Sequence, residues 1–115
     1  FKHEFPALTS KLSSVSISDA ETRSTIRSVY QEHHYMLDPH GAVAYLALQR
    51  YLANHPDDRG IFLETAHPVK FPEAVESEIG HSIPVPAMLS HLFSLKKKSI
   101  RMAADYSRLK EYLLS

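Results

Sequence analysis

The sequence has no cysteine and only three glycines among its 115 residues. The lack of cysteine excludes a disulfide framework, a thiolate metal site and a cysteine nucleophile, and it favours a cytoplasmic protein. So few glycines leave little material for the Gly-rich loops that hold phosphate groups. No apolar run in the sequence approaches the roughly 20 residues needed to cross a bilayer. We therefore expect neither a disulfide-stabilised protein nor a membrane-spanning one.

The sequence also has no excess of charge of either sign. Thirteen Lys and Arg residues balance thirteen Asp and Glu residues, which removes the attraction that sequence-independent binding to nucleic acid or to an anionic membrane needs. The hydrophobic fraction of 43% and the charged fraction of 23% are typical of globular proteins. A soluble chain of this length with one core is expected, and neither nucleic acid nor a membrane is an expected partner.

The amino terminus carries neither a methionine nor a signal-peptide pattern, as in a piece cut from a longer protein. Residues 1 to 14 mix serine, threonine and proline with scattered apolar residues and show no sustained period. They are predicted to form a linker or a partly disordered leading segment. Residues 15 to 115 are predicted to form a single fragment of a larger domain.

Two helices are predicted in the first half of the chain. The stretch Ser18 to Glu21 has the S-x-x-E form of a capping box, and a mostly apolar stripe continues from it to about residue 34. Asp38 and Pro39 suit the cap and the first position of a second helix. Residues 42 to 48 of that helix are apolar on every side, so we expect it to pack on more than one face.

Two further helices and one or two short strands complete the predicted fold. A third helix follows Pro72 and ends at Gly80, and the last helix has an apolar side formed by Met102, Tyr106, Leu109 and Leu113.

Ile61-Phe62-Leu63 follows Gly60 as a short apolar run, typical of a strand buried on both faces, and Val15-Ser16-Ile17 alternates as a weaker strand candidate. A buried strand needs neighbours that this sequence does not offer. The prediction is therefore a predominantly helical α/β fragment, with about four helices around one or two short strands, belonging to a larger three-layer α/β domain.

The loop after the predicted strand is the candidate site, because ligands of open α/β sheets lie beyond the carboxyl ends of strands. Thr65, His67 and Lys70 are in this loop. A threonine hydroxyl suits an aromatic ring nitrogen, and the helix that starts near Pro72 offers free amides to an anion. In the alternative, structural interpretation, Thr65 caps the turn, His67 caps the next helix and Lys70 is solvated. Spacing alone favours that alternative.

Other chemistries have weaker patterns. None of the eight histidines, His33 and His34 included, makes the i, i+4 pair with a glutamate that a helical zinc site uses. Glu64 and His67 lack a serine on a Gly-flanked turn that they would activate in a hydrolase. Three consecutive lysines at 96 to 98 have no interleaved aromatic residues, which is typical of a solvated segment rather than a nucleic-acid surface.

Two motifs carry a resemblance to a known family. Asp38-Pro39-His40-Gly41-Ala42-Val43-Ala44-Tyr45 is followed at a fitting distance by Glu64-Thr65-Ala66-His67-Pro68-Val69-Lys70-Phe71-Pro72-Glu73. In order and separation these motifs are similar to the C-terminal region of threonine synthases, and the likeness extends from about residue 15 to the end. Neither motif is dictated by helix or strand periodicity.

The resemblance implies a parent enzyme that depends on pyridoxal phosphate and belongs to the tryptophan-synthase-β structural group. It would convert O-phospho-L-homoserine and water to L-threonine and phosphate by β,γ-replacement. In that group a lysine of the N-terminal part forms a Schiff base with the cofactor, a Gly-rich loop holds its phosphate, and a hydroxyl meets its ring nitrogen. Thr65 stands at the position of that hydroxyl, and His67 and Lys70 lie in the possible vicinity of the substrate or a phosphate group.

The lysine and the Gly-rich loop have no counterpart in these residues, so the fragment alone is expected to be inactive and to bind no cofactor. Its expected partner is the missing N-terminal part of the same chain, and its uncovered sheet edge gives it a surface for self-association. The alternative hypothesis is a non-catalytic helical module that uses the apolar helix at 42 to 52 and this edge to bind a partner protein.

Overall fold

A computed structural model describes residues 4–115, so the first three residues of the predicted leading segment lie outside it. The chain divides into two units, Phe1–Pro84 and Val85–Ser115. No residue from position 4 onward forms a β-strand, and no helix there is long and apolar enough to reach across a bilayer. The α-helices are α1 (Phe5–Thr9), α2 (Asp19–His33), α3 (Pro39–Ala53), α4 (Pro72–Ile79), α5 (Ser90–Phe93) and α6 (Tyr106–Leu114), with 3-10 helices at Pro68–Lys70 and Ala87–Leu89.

Helix α2 begins at the predicted capping box. The Ser18 backbone amide donates to the Glu21 carboxylate at 2.8 Å, and the Glu21 amide donates back to the Ser18 hydroxyl at 3.4 Å. The predicted stripe is buried at Thr22, Ile26 and Val29. The helix ends at His34, whose backbone is left-handed with φ of 54°. Local signals alone therefore place this helix within a residue of its observed ends.

Helices α3 and α4 both pack against α2 and form the core of the first unit. The predicted starts at Asp38 and Pro72 and the predicted stop at Gly80 are confirmed, and Gly80 has the left-handed φ of 81° that favours glycine. Arg23 and Arg27 of α2 bind Glu78 of α4 at 3.2 and 2.6 Å. Core side chains come from all three helices and from the segments that flank them: Ile26, Val29, Leu37, Ala42, Val69, Val75, Ile79 and Ile83.

The predicted buried strand is wrong for the described residues. Residues 60 to 65 are extended but unpaired, and the side chains of Ile61 and Leu63 are 90% and 72% exposed. Phe62, between them, turns inward, where its ring meets the Tyr45 ring edge-to-face with centroids 5.4 Å apart. A strand is defined by hydrogen bonds to a neighbour, and none of the residues from 4 to 115 supplies one. The weaker candidate at 15 to 17 is likewise not a strand.

The predicted leading segment contains the short helix α1, and its role as a linker stays a prediction. In the second unit, α6 begins at Tyr106, so Met102 of the predicted apolar side lies outside it. Asp105 caps the helix by accepting from the Arg108 amide at 2.9 Å. Tyr106, Leu109 and Leu113 of its predicted apolar side are exposed. This unit contributes no residue to the buried apolar set.

The α2 capping box leads to a prediction on acid stability. A hydrogen bond from Ser18 and the ion pair with Arg50 of α3 lower the pKa of Glu21 from 4.5 to about 2. A carboxyl with a lowered folded-state pKa contributes stability above its ordinary pKa and loses it as pH falls toward the folded value. We expect the free energy of unfolding, measured by urea denaturation, to fall more steeply between pH 4.5 and about 2 in the wild type than in Glu21→Gln. Glutamine keeps the capping box, so equal slopes would contradict the role of this charge.

Candidate functional site

Asp38 organises the start of α3. The residue is fully buried, at 0% exposure, and its Oδ1 atom accepts hydrogen bonds from the His40 backbone amide at 2.8 Å and from the His40 ring Nδ1 at 2.7 Å. The His40 ring also packs edge-on against the ring of Phe71, just before α4, with centroids 5.2 Å apart. Asp38 therefore both caps its helix and fixes a histidine between two elements of the unit.

Glu64 comes from the other motif and meets Asp38 at the same place. Its Oε1 atom accepts the Asp38 backbone amide at 2.7 Å, across 26 positions of sequence. Its carboxyl group lies over Gly41, where an added Cβ atom would come within 2.1 Å of Oε2. Glycine at this position therefore leaves room for the Glu64 carboxyl group, which a larger residue would displace.

The two carboxyl groups are buried at the same place, where the Asp38 amide joins them. Asp38 Oδ2 and Glu64 Oε2 are both buried and have no hydrogen-bond partner among the described residues. Burial would raise the pKa of Asp38, but hydrogen bonds from His40 and Glu64 hold it below its ordinary value. Burial raises the pKa of Glu64, and the Asp38 carboxylate raises it further. The arrangement fits one proton held between them, with neutral Glu64 donating to ionised Asp38.

Thr65 directly follows Glu64 and lies on the surface. Within residues 4 to 115, no hydrogen bond engages its hydroxyl, so the turn cap considered in the sequence analysis does not form there. The segment alternates from residue 61 to 65: Phe62 and Glu64 turn toward α3, whereas Ile61, Leu63 and Thr65 are exposed. The hydroxyl is thus presented on the same side as two large apolar side chains.

His67 and Lys70 bracket the next short helix. His67 is the cap of the 3-10 helix Pro68–Lys70, and its Nδ1 atom accepts the Val69 amide at 3.1 Å. It therefore caps this short helix and not α4, whose N-cap is Phe71. A neutral imidazole that accepts at Nδ1 carries its hydrogen on Nε2, so the exposed edge of this ring is a donor. Lys70 is exposed and borders a shallow depression with Phe71 to Ala74 at the start of α4.

Thr65, His67 and Lys70 are each exposed within residues 65 to 70, and the hydrogen bond between Glu64 and the buried residue Asp38 anchors the start of this stretch. From the sequence, Asp38, His40 and Gly41 were interpreted as a helix start and as part of the first family motif, and no site role was predicted for them. One sequence feature could have indicated their contact with Glu64: a capping acid and Gly41 are in the first motif, and Glu64 is in the second. Among residues 4–115, no group of three His, Asp or Glu side chains is placed to hold a metal ion.

Comparison with known proteins gives a consistent family. The family described as "Threonine synthase, C-terminal" matches residues 41–113. The chain is 41% identical to threonine synthase of Haemophilus influenzae over 103 residues, which are 90% of this chain and 24% of that protein. It is 35% identical to the Escherichia coli enzyme over 105 residues, covering 91% of this chain and 24% of the relative.

Solved structures agree with the sequence comparison. The crystal structure of threonine synthase from Escherichia coli matches with a TM-score of 0.79 and 35% identity, covering 92% of this chain and 24% of that one. A threonine synthase from Brucella melitensis with bound pyridoxal phosphate matches with a TM-score of 0.68 and 30% identity, over 94% and 23% of the two chains. The chain belongs to the threonine synthase family and corresponds to its C-terminal region. It spans about a quarter of the length of these relatives.

Proposed function

We propose that these residues are the C-terminal part of an enzyme that converts O-phospho-L-homoserine and water to L-threonine and phosphate, using pyridoxal phosphate in a β,γ-replacement. The observation that carries the proposal is the exposed Thr65 hydroxyl, held at the end of a segment that Glu64 anchors to α3. A hydroxyl is a neutral partner for the cofactor's ring nitrogen, and it tunes the electron-withdrawing chemistry that the bound cofactor supplies. The lack of cysteine fits a cytoplasmic enzyme.

His67 and Lys70 are proposed to face the substrate or its phosphate group. The His67 ring presents an Nε2–H donor outward because its Nδ1 atom is occupied. The exposed Lys70 ammonium lies beside the first turn of α4, where helix amides favour an anion. Both side chains are thus donors only on their open sides, as recognition of a phosphate requires.

The remaining cofactor contacts are proposed to come from the part of the relatives that this chain does not span. All three glycines have structural roles: Gly41 packs under Glu64, Gly60 lies where a Cβ atom would come 2.2 Å from Leu48, and Gly80 ends α4. None is left to form a phosphate-binding loop. We therefore expect the 115-residue chain alone to be inactive.

The experiment that tests this function uses two proteins. The intact chain, with its upstream sequence, should release phosphate and L-threonine in equal amounts from O-phospho-L-homoserine when loaded with pyridoxal phosphate. The 115-residue chain should form no stoichiometric adduct with the cofactor that borohydride can trap. A folded intact protein that binds pyridoxal phosphate but does not turn over the substrate would contradict the proposal. An unrelated upstream domain would favour a helical interaction module, for which the exposed Ile61 and Leu63 would be the binding surface.

Thr65 itself is tested by a pair of substitutions in the intact enzyme. Thr65→Val keeps the shape but removes the hydroxyl, so one hydrogen bond of about 1.4 kcal/mol is lost and the Kd for pyridoxal phosphate should rise about tenfold. Thr65→Ser keeps the hydroxyl and should bind within about twofold of the wild type, a difference of less than about 0.5 kcal/mol. Fluorescence titration of the cofactor measures both. Equal affinity of the valine and serine variants would remove Thr65 from the cofactor site.

A further inference from the structure

We propose that Asp38 and Glu64 act together as a positioning pair for Thr65: a carboxyl–carboxylate contact that locks the segment bearing the hydroxyl onto the start of α3. The inference rests on the proposed function, because it assigns the pair a role toward the cofactor contact of Thr65. Neither residue touches the cofactor in this proposal. Their task is to fix where the neighbouring hydroxyl points.

The backbone geometry makes Glu64 the last anchor before Thr65. Phe62 holds the segment to Tyr45 in the middle of α3, and Glu64 holds it to Asp38 at the helix start. Because the segment is extended and its side chains alternate, an inward Glu64 requires an outward Thr65. Loss of the Glu64 anchor would release the end of the segment that carries the hydroxyl, while the Phe62 anchor would remain.

The chemistry of the pair explains why two acids are used at a buried point. Two ionised carboxylates in contact would repel each other, and two buried oxygens without a hydrogen would be left unsatisfied. Asp38 Oδ2 and Glu64 Oε2 are the two buried oxygens without a hydrogen-bond partner among the described residues, and in our proposal one shared proton satisfies both. His40 fixes the other Asp38 oxygen, and the Asp38 amide fixes the other Glu64 oxygen. Each group in the contact therefore has a single orientation.

The position of a group in an active site strongly affects the reaction rate, since a displacement of about 1 Å can lower the rate about 10²-fold. In the intact enzyme, Glu64→Leu should lower kcat/KM by about 10²-fold and raise the Kd for pyridoxal phosphate about tenfold, the same rise as loss of the Thr65 hydrogen bond. Glu64→Gln should restore both values to within about threefold, a difference of less than about 0.7 kcal/mol. Its amide donates to Asp38 and its carbonyl accepts the Asp38 amide, as neutral Glu64 does. Glu32→Leu, the same change at an exposed residue of α2, is the matched control.

A readout independent of activity is the infrared spectrum at neutral pH. The wild type should show the C=O stretch of a protonated carboxyl group that shifts in heavy water, and both Glu64 variants should lack it. This measurement decides the chemistry even if Glu64→Leu does not fold, since Glu64→Gln alone tests the shared proton. A wild type without this band would overturn the shared proton.

The inference and the proposed function fail in different ways. A folded Glu64→Leu enzyme with wild-type kcat/KM and cofactor affinity would overturn the positioning role alone. A wild-type enzyme that binds no pyridoxal phosphate and does not consume O-phospho-L-homoserine would overturn the proposed function, and the positioning role with it. A Glu64→Gln enzyme as impaired as Glu64→Leu would also overturn the positioning pair, because glutamine keeps the shape and hydrogen bonds of neutral Glu64 and should therefore still position Thr65.

Discussion

Replacement of Ile26 by alanine is expected to lower the free energy of unfolding of this chain by about 2–5 kcal/mol. Ile26 has 0% exposure and lies on the face of α2 that packs against both α3 and α4. The substitution removes three carbon atoms from a fully buried position, and a cavity remains unless the neighbouring helices move closer. Urea denaturation followed by circular dichroism measures the change.

Ile61→Ala is the matched control, with the same change of side chain at 90% exposure. In the 115-residue chain it should alter the free energy of unfolding by less than about 0.5 kcal/mol. In the intact parent protein the outward face of residues 61 to 65 is expected to be covered, so the same substitution should there cost about 2–5 kcal/mol. Equal effects of Ile26→Ala and Ile61→Ala in the short chain would contradict the assignment of the core.

The helices were predictable because their signals are local. A capping box spans four residues, and an apolar stripe needs only the next turn of the same helix, so Ser18 to His33 could be interpreted without knowing the rest of the fold. Gly80 was informative for the same reason, since a left-handed residue ends a helix wherever it occurs. The start of α6 was predicted too early because an apolar stripe does not define a boundary, whereas the capping contact of Asp105 does.

The burial of the segment from 61 to 65 could not be predicted from local signals. Ile61, Phe62 and Leu63 are all apolar, and the prediction of burial on both faces was sound chemistry for a strand with neighbours. Among the described residues only α3 is available, so Phe62 is partly covered and the other two are exposed. The apolar pattern depends on a surface that these residues do not contain, which is consistent with a chain that spans about a quarter of its relatives.

The candidate site also has a part that could be predicted from the sequence and a part that could not. Thr65 could be selected from the sequence because it follows a strand-like run and stands in the second family motif. The residue is exposed, and its role toward a ligand stays a prediction. The carboxyl pair beneath it could not, because Asp38 and Glu64 are separated by 26 positions and each has an ordinary local interpretation. A long-range contact between two acids is a property of the fold, and no spacing rule predicts it.

Gly41→Ala is expected to destabilise the chain by about 1–3 kcal/mol, the cost of a buried hydrogen-bonding group left without its partner. The new Cβ atom would lie 2.1 Å from Glu64 Oε2 and 2.7 Å from its Cδ atom, so the carboxyl group must leave its place over the start of α3. The Asp38 amide then loses its acceptor, and the buried Asp38 Oδ2 atom loses the proton that we propose Glu64 shares with it. Any gain from replacing glycine in a helix is at most about 1 kcal/mol and only partly offsets this loss.

A double-mutant cycle separates this mechanism from a general intolerance of side chains at position 41. In a Glu64→Ala background the space over Gly41 is already empty, so Gly41→Ala should become neutral or stabilising by up to about 1 kcal/mol. Gly80→Ala is the matched control, because its cost comes from a φ of 81° with no atom within 4 Å of the added Cβ. That cost should be the same in both backgrounds. If Gly41→Ala is equally destabilising with and without Glu64, the close approach of Glu64 is not the reason for glycine there, and the anchor of Thr65 loses its structural basis.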